Sequence, residues 1–556
     1  MRLTKKPFFN IGLLWVNLFW GCASNSSYPF DQDDVLAAQK LYGVEFNEAE
    51  IDTMMKYLAR NRSGYDSTRT FNIKYNESPA IAFNPLPPGF TIPSDQVETS
   101  FNIPDSISLP EKNKGPAFYS ILELASLIRA GHITSEELTQ YYLGRLERYN
   151  PQLEAVITLI KDEAIIKARS MDKEISEGKY RGPLHGIPYG VKDIIAVKGY
   201  KTTWGSEPYK DQVIDETAEL VQKLNAAGAI LIAKLTSGAL ARGDVWFNGK
   251  TRNPWDLKQG SSGSSAGSAS ATAAGLVPFS IGTETWGSIL SPSSRCGVTG
   301  LRPTYGRVSR HGVMTLSWSM DKVGPICRNA EDCALILSII HGSDGRDQTV
   351  YNAPFGLNLN EDVKSLRVGY IQEIIEKDTS ASGDNGRAAL DVIKKMGVNI
   401  DSVSLPSSYP FRAFDSILRA ESGAFFDNLV TSGRVNMMVQ QTSRSRANSL
   451  RQSRFIPAVE YLQANRLRSR LIKEMFDLFK QYDVILAPGR GSQQSLITNL
   501  TGHPAISIPS GFDKEGRPTS ITLIGNLFDE ASILRLAHIY QQQTDHEDKH
   551  PPMFID

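Results

Sequence analysis

Residues 259–268 read Gln259-Gly260-Ser261-Ser262-Gly263-Ser264-Ser265-Ala266-Gly267-Ser268, and the chain continues Ala269-Ser270-Ala271-Thr272-Ala273-Ala274-Gly275. The first ten positions hold five serines and three glycines. Alone, such a tract reads as a linker, because Gly and Ser give flexible, solvated coil. The run of small residues after it overturns that reading, since small side chains let a helix pack tightly against a neighbour in a core. A loop of hydroxyls and bare N–H groups leading into a helix is also suited to holding negative charge. The tract is therefore read as the floor of an active site.

Outward from the tract, short apolar runs alternate with helical patterns. Strand-like runs lie at residues 187–191, 229–233, 366–371, 484–486 and 505–508. Helical spacing covers about 121–128, 134–149, 162–177, 217–227, 388–396 and 529–541, and residues 407–480 read as mostly helical. Alternation of this kind predicts an α/β fold: a mixed, largely parallel central sheet covered by helices on both faces. Residues 23–117 read as a linker and small helical region, in which Asn47 and Glu50 form a capping-box pattern and Pro85, Pro87, Pro88, Pro93, Pro104 and Pro110 mark an extended connector. Residues 118–556 are the expected catalytic domain.

Residues 1–22 read as an export signal. Arg2, Lys5 and Lys6 precede an apolar stretch over residues 8–20, too short to span a bilayer comfortably. Gly21 then Cys22, followed by polar residues, resembles a bacterial lipoprotein cleavage box with Cys22 as the lipidated residue, although Phe19 and Trp20 are bulkier than such a box prefers. Export to the periplasm or outer surface with a lipid anchor is the expectation, and plain secretion and a cytoplasmic location are the alternatives. Lys+Arg and Asp+Glu balance at 60 each, so no global field favours nucleic acid. Cys22, Cys296, Cys327 and Cys333 form no C-x-x-C pair, and neither a metal site nor a cofactor is expected.

Two serine chemistries compete. Gly263-Ser264-Ser265-Ala266-Gly267 matches the G-x-S-x-G elbow with Ser265 as nucleophile, but the residues before it make a poor buried strand, and no setting distinguishes His311, His341, His503 or His538 as the partner. The other chemistry needs a base for a serine hydroxyl, and a lysine made neutral by burial can serve. Lys192, at the end of His185-Gly186-Ile187-Pro188-Tyr189-Gly190-Val191-Lys192-Asp193, sits where α/β folds place catalytic groups. A solvated charge or an ion pair with Asp193 is the ordinary reading of such a lysine.

Residues 185–193, the Ser-rich loop, Thr283-Glu284-Thr285-Trp286-Gly287-Ser288 and Cys296-Gly297-Val298-Thr299-Gly300-Leu301-Arg302-Pro303-Thr304-Tyr305-Gly306-Arg307-Val308-Ser309 together resemble the amidase signature family. The resemblance runs from about residue 118 to the C-terminus. It implies a relay in which Lys192 is the base, Ser264 a bridging serine in a cis peptide and Ser288 the nucleophile. The backbone N–H groups of Thr285, Trp286, Gly287 and Ser288 would form the oxyanion hole, with Ser265 and Asp193 supporting them and Arg295 a further brace. The implied activity is hydrolysis of a carboxylic amide, small or peptidic, by a monomer or homodimer that binds no nucleic acid. The alternatives are the amidase-type subunit of an amidotransferase and a non-catalytic ligand-binding lipoprotein. The chain departs from the family pattern at Ser262 and Ala266, where glycines are usual, at Trp286, where a glycine is common, and at Leu290, often an arginine. Substrate choice is what these changes affect.

Overall fold

The computed structural model describes residues 28–71, 73–94, 99–105, 107, 115–359, 361–489 and 493–555. The expected export signal and Cys22 lie outside the described residues. The chain forms two compact units divided between Ile73 and Lys74. In the first, helices Gln32–Tyr42 and Glu48–Arg69 each begin with a reciprocal capping box, Asp31 with Asp34 and Asn47 with Glu50. Gly43 ends the first helix at φ 66°, the left-handed conformation that glycine adopts without steric cost. Among the described residues, no helix is long and apolar enough to cross a membrane.

The second unit is built on an eleven-stranded sheet. Its strands in chain order are β1 (Val156–Leu159), β2 (Pro188–Lys192), β3 (Ile230–Leu235), β4 (Phe279–Glu284), β5 (Thr299–Arg302), β6 (Lys322–Cys327), β7 (Arg367–Ile371), β8 (Asn399–Val403), β9 (Val484–Pro488), β10 (Ala505–Phe512) and β11 (Pro518–Gly525). Across the sheet the order is β1-β3-β2-β4-β6-β5-β10-β11-β9-β7-β8. The sheet is mixed, with helices around it, as its sequence pattern predicts. Parallel pairing is concentrated in two blocks, β3-β2-β4 and β9-β7-β8. The centre and the β1 edge pair antiparallel. The connections explain the division: β10 and β11 are joined by a short turn, which permits only antiparallel pairing, whereas β2 reaches β3 through helix Glu219–Ala226.

The block β3-β2-β4 positions the site. β2 is buried along its whole length between its two parallel neighbours, with Tyr189 opposite Phe279 and Val191 opposite Ile281. Helix Ala266–Ala273, every residue of it buried, packs beside β4, where Ser268 donates to the Ile281 carbonyl and Ser280 donates to the Ser268 carbonyl. Its small residues are what allow so close an approach: a Cβ at Gly267 would lie 2.3 Å from the Ala155 carbonyl oxygen. The expected poor strand before the Ser-rich loop is a short ribbon, Arg252–Asn253 paired with Asp256–Gly260, outside the main sheet.

Arg307 ties the C-terminal half together. Its guanidinium is 2.6 Å from the Glu530 carboxylate and donates to the carbonyls of Ala353, Phe528 and the half-buried Pro354. Removing one partner of a buried pair leaves the other charge uncompensated, at a cost of about 3–5 kcal/mol. Arg307→Ala is expected to lower stability by about that amount, read as an earlier denaturation midpoint in urea; a midpoint equal to wild type would contradict it.

Candidate active site

Because β2 and β4 are parallel neighbours, their carboxyl ends open at the same edge of the sheet. Lys192 ends β2, and the turn Thr285-Trp286-Gly287-Ser288 follows β4 directly. The Ser-rich loop closes over both. Lys192 is completely buried, and its Nζ donates to Ser264 Oγ at 2.8 Å, to Thr283 Oγ1 at 2.8 Å and to the Thr283 carbonyl at 3.4 Å. Among the described residues, no carboxylate is bonded to it. Burial therefore dominates, and the ammonium pKa falls to about 7 despite the more distant charges of Asp321 and Glu284, which work to raise it. Near neutral pH this lysine has access to its free-amine form.

The Gly263–Ser264 peptide is cis. Glycine at 263 is a steric requirement, since a Cβ there would lie 1.9 Å from the Gly243 carbonyl oxygen. Ser265 fastens the loop: its N–H donates to the Ser288 carbonyl at 3.1 Å, its Oγ donates to the Thr283 carbonyl, and that same Oγ accepts from the Thr283 N–H. A hydroxyl committed on both sides to one residue's backbone is poorly placed to attack a substrate. None of His311, His341, His503 or His538 is bonded to Ser264, Ser265 or Ser288: His503 meets Thr501, His538 meets Gln542 and His311 meets Glu216. The elbow reading therefore has neither its strand nor its partner.

Ser261 donates to the Ser262 carbonyl, the turn-backbone bond its position predicts. Ser262, at a position where the family pattern has glycine, adopts φ 64°. A side chain in that left-handed region costs roughly 1–2 kcal/mol, so the departure is borne by the surrounding packing. Its N–H is held by Asp244 at 3.1 Å. Asp193 does not touch the lysine that precedes it. Its carboxylate lies 2.9 Å from Lys234 Nζ and accepts from Thr203, bracing β2 against β3 instead of facing the serines. Arg295 donates to Gln259 and forms no ion pair among the described residues.

Ser288 is half-buried and leads into helix Leu290–Cys296. Gly287 before it adopts φ 87°, which suits glycine and few others. Among the described residues, the N–H groups of Thr285, Trp286, Gly287 and Ser288 donate to no protein acceptor, so all four are available to a developing anion. Trp286 is 36% exposed, at the rim. Leu290, in the position often held by arginine, is buried.

Two carboxylates hold this turn, and sequence reasoning assigned neither. Glu284, fully buried, accepts from the N–H groups of Ile289 and Leu290 through one oxygen, and from Arg302 and Asn499 through the other. Burial alone would raise its pKa. The Arg302 charge and these donors outweigh that and keep it below the usual carboxylate value. Asp321 accepts from Thr285 Oγ1 on one side and from the N–H groups of Leu316 and Ser317 on the other. The available signal was an acidic residue inside an otherwise hydroxyl-rich motif, at Thr283-Glu284-Thr285, together with Arg302 on the next recognisable block.

With Lys192 titrating near 7, its free-amine form predominates above that pH and is lost below it. Acylation of Ser288 by an amide substrate is expected to fall about tenfold per pH unit below 7 and to level off above it, as measured by single-turnover rates. A flat profile between about pH 5 and 7 would remove Lys192 as the base.

A family model described as Amidase matches residues 137–494. The glutamyl-tRNA(Gln) amidotransferase subunit of Geobacillus thermodenitrificans (strain NG80-2) is 33% identical over 481 residues, covering 78% of this chain and 99% of that protein. Its namesake from Roseiflexus sp. (strain RS-1) is 34% identical over 471 residues, covering 77% and 96%. Among solved structures, the native peptide amidase from Stenotrophomonas maltophilia matches with a TM-score of 0.71 at 27% identity, covering 79% of this chain and 99% of that one.

Proposed function

The chain belongs to the amidase signature family, and from that membership we propose that it hydrolyses a carboxylic amide through an acyl-enzyme on Ser288, with Ser264 and Lys192 as the proton relay. The observation that carries the relay is the buried Lys192, bonded to no carboxylate among the described residues and 2.8 Å from Ser264 Oγ, beside the turn that bears Ser288. In the reaction, Ser288 Oγ attacks the amide carbon as its proton passes to Ser264 and the Ser264 proton passes to the free amine of Lys192. The carbonyl oxygen becomes an anion facing the N–H groups of residues 285–288. One such donor typically lowers the barrier by about 3 kcal/mol. The relay then returns a proton to the departing nitrogen, the C–N bond breaks, and water releases the acid by the same route in a second cycle.

The amidotransferase reading is the second one, favoured by the 33% and 34% identity to proteins of that name. The N-terminal sequence separates the two readings. An export signal and Cys22 lipidation, both read from sequence, would place this chain outside the cytosol, on the membrane surface. The Geobacillus relative is matched over 99% of its own length yet covers only 78% of this chain, so the remainder has no counterpart in it.

Labelling with an active-site serine probe tests the relay. Wild type is expected to label at Ser288, Ser288→Ala to lose all labelling, and Lys192→Ala to label about 10²–10⁴-fold more slowly. A label mapped to Ser265 would refute the assignment. For the anchor, Cys22→Ala is expected to move the protein from the membrane to the soluble fraction, and an unchanged distribution would count against lipidation.

A further inference from the structure

A cavity of about 730 Å³, lined by none of Lys192, Ser264 and Ser288, lies between the loop that contains Arg310 and Trp318, the helix Asp415–Phe425 and the helix Ala458–Leu478. Its outer wall is residues 75–84, an extended segment upstream of the family match. That segment is pinned at both ends. Tyr75 donates to Glu216, which also pairs with His311, while Phe83 stacks on the Arg468 guanidinium at 3.5 Å and Asn84 accepts from Tyr351 at 3.0 Å. The residues between the pins, 76–82, are exposed.

The charges around this cavity are all committed within the protein. Arg310 donates to Asp347, the Trp318 carbonyl and Thr349. Arg468 donates to the Leu500 carbonyl and to Ser319. Glu421 accepts from Ser317, Ser319 and Tyr461 on its two oxygens. Arg346 is shared between Glu219 and Asp344. A charged ligand would therefore enter with no free counter-ion and would lose its hydration uncompensated. The remaining wall is uncharged: apolar side chains such as Phe83, Val313, Trp318, Ile456 and Ile472 are interspersed with amides, as at Asn76 and Gln348, and hydroxyls, as at Thr315 and Ser469. The volume falls in the range of small-molecule sites.

We propose that this cavity is a second ligand site, for an uncharged, largely apolar small molecule, and that residues 75–84 are the wall that completes it. The site does not depend on the amidase reading. Its floor bears on the catalytic turn all the same, because the loop that carries Trp318 also supplies the N–H groups that hold Asp321, and Asp321 holds Thr285.

The test is a fluorescence titration of the full chain with N-phenyl-1-naphthylamine, a neutral apolar probe. Saturable one-site binding is expected in wild type, weakened at least tenfold in Ala424→Trp, which fills the cavity from an exposed position, and in Phe83→Ala, which frees one end of the wall. Ser288→Trp, which blocks the catalytic turn, is expected to bind the probe like wild type. Ala420→Trp serves as a second filled variant, and Ala424→Trp decides alone if that one does not fold. Absence of saturable binding, wild-type binding in the filled variants, or loss of binding in Ser288→Trp would overturn the proposal.

Discussion

A lysine side chain taken out of water resists carrying its charge unless an acid is close enough to repay the lost hydration. Around Lys192 the protein supplies two hydroxyls and a carbonyl but, among the described residues, no bonded carboxylate. The adjacent acid, Asp193, is drawn off by Lys234 on the adjoining strand. That diversion keeps the free-amine form within reach: an Asp193 carboxylate bonded to Lys192 would hold it protonated. Much of the surrounding arrangement, from the parallel pairing of β2 with β4 to the close-packed helix Ala266–Ala273, keeps this amine dry and next to Ser264.

The second requirement is that four consecutive N–H groups, from Thr285 to the half-buried Ser288, stay unpaired among the described residues. Unbonded backbone donors are ordinarily expensive, and the structure offsets this by binding the residues on either side. Glu284 takes the N–H groups of Ile289 and Leu290, Asp321 takes the Thr285 hydroxyl, and Ser265 takes the Ser288 carbonyl. Those three anchors fix the turn without occupying it. Arg302 and Asn499 help keep Glu284 ionised, so a residue far along the chain helps to hold the turn that carries Ser288. Rigid donors around an empty space are the form that electrostatic stabilisation of an anion takes.

Several elements were legible in the sequence for definite reasons. The capping box at Asn47 announced a helix because its side chain satisfies an N–H group that the helix itself cannot. The run 187–191 announced β2 because a strand buried on both faces draws a short, largely apolar run, here Ile187, Tyr189 and Val191. Strands β4, β5, β6 and β11 gave weaker signals. Their residues mix Gly, Ser, Thr, Lys and Pro with apolar ones, and their hydroxyls and charges are satisfied by partners distant in sequence, such as Thr299 by the Arg328 carbonyl. The antiparallel centre of the sheet went unread for the same reason: pairing is decided by which strands meet.

The sequence by itself determined the chemistry on offer. A Ser-rich loop followed by small residues favours a loop against a tightly packed helix, and the resemblance carried by the motifs around it implied Lys192, Ser264 and Ser288. Tertiary structure alone decided which groups those residues meet. It sent Asp193 to Lys234, gave Ser265 to the backbone of Thr283, brought Glu284, Arg302 and Asn499 into one buried cluster, and laid residues 75–84 along a cavity. Local sequence encodes conformational preference and chemical type, but desolvation and pairing of charge depend on neighbours that arrive from anywhere in the chain. For an amine whose pKa is set by burial, as for Lys192, those neighbours decide whether it carries its charge.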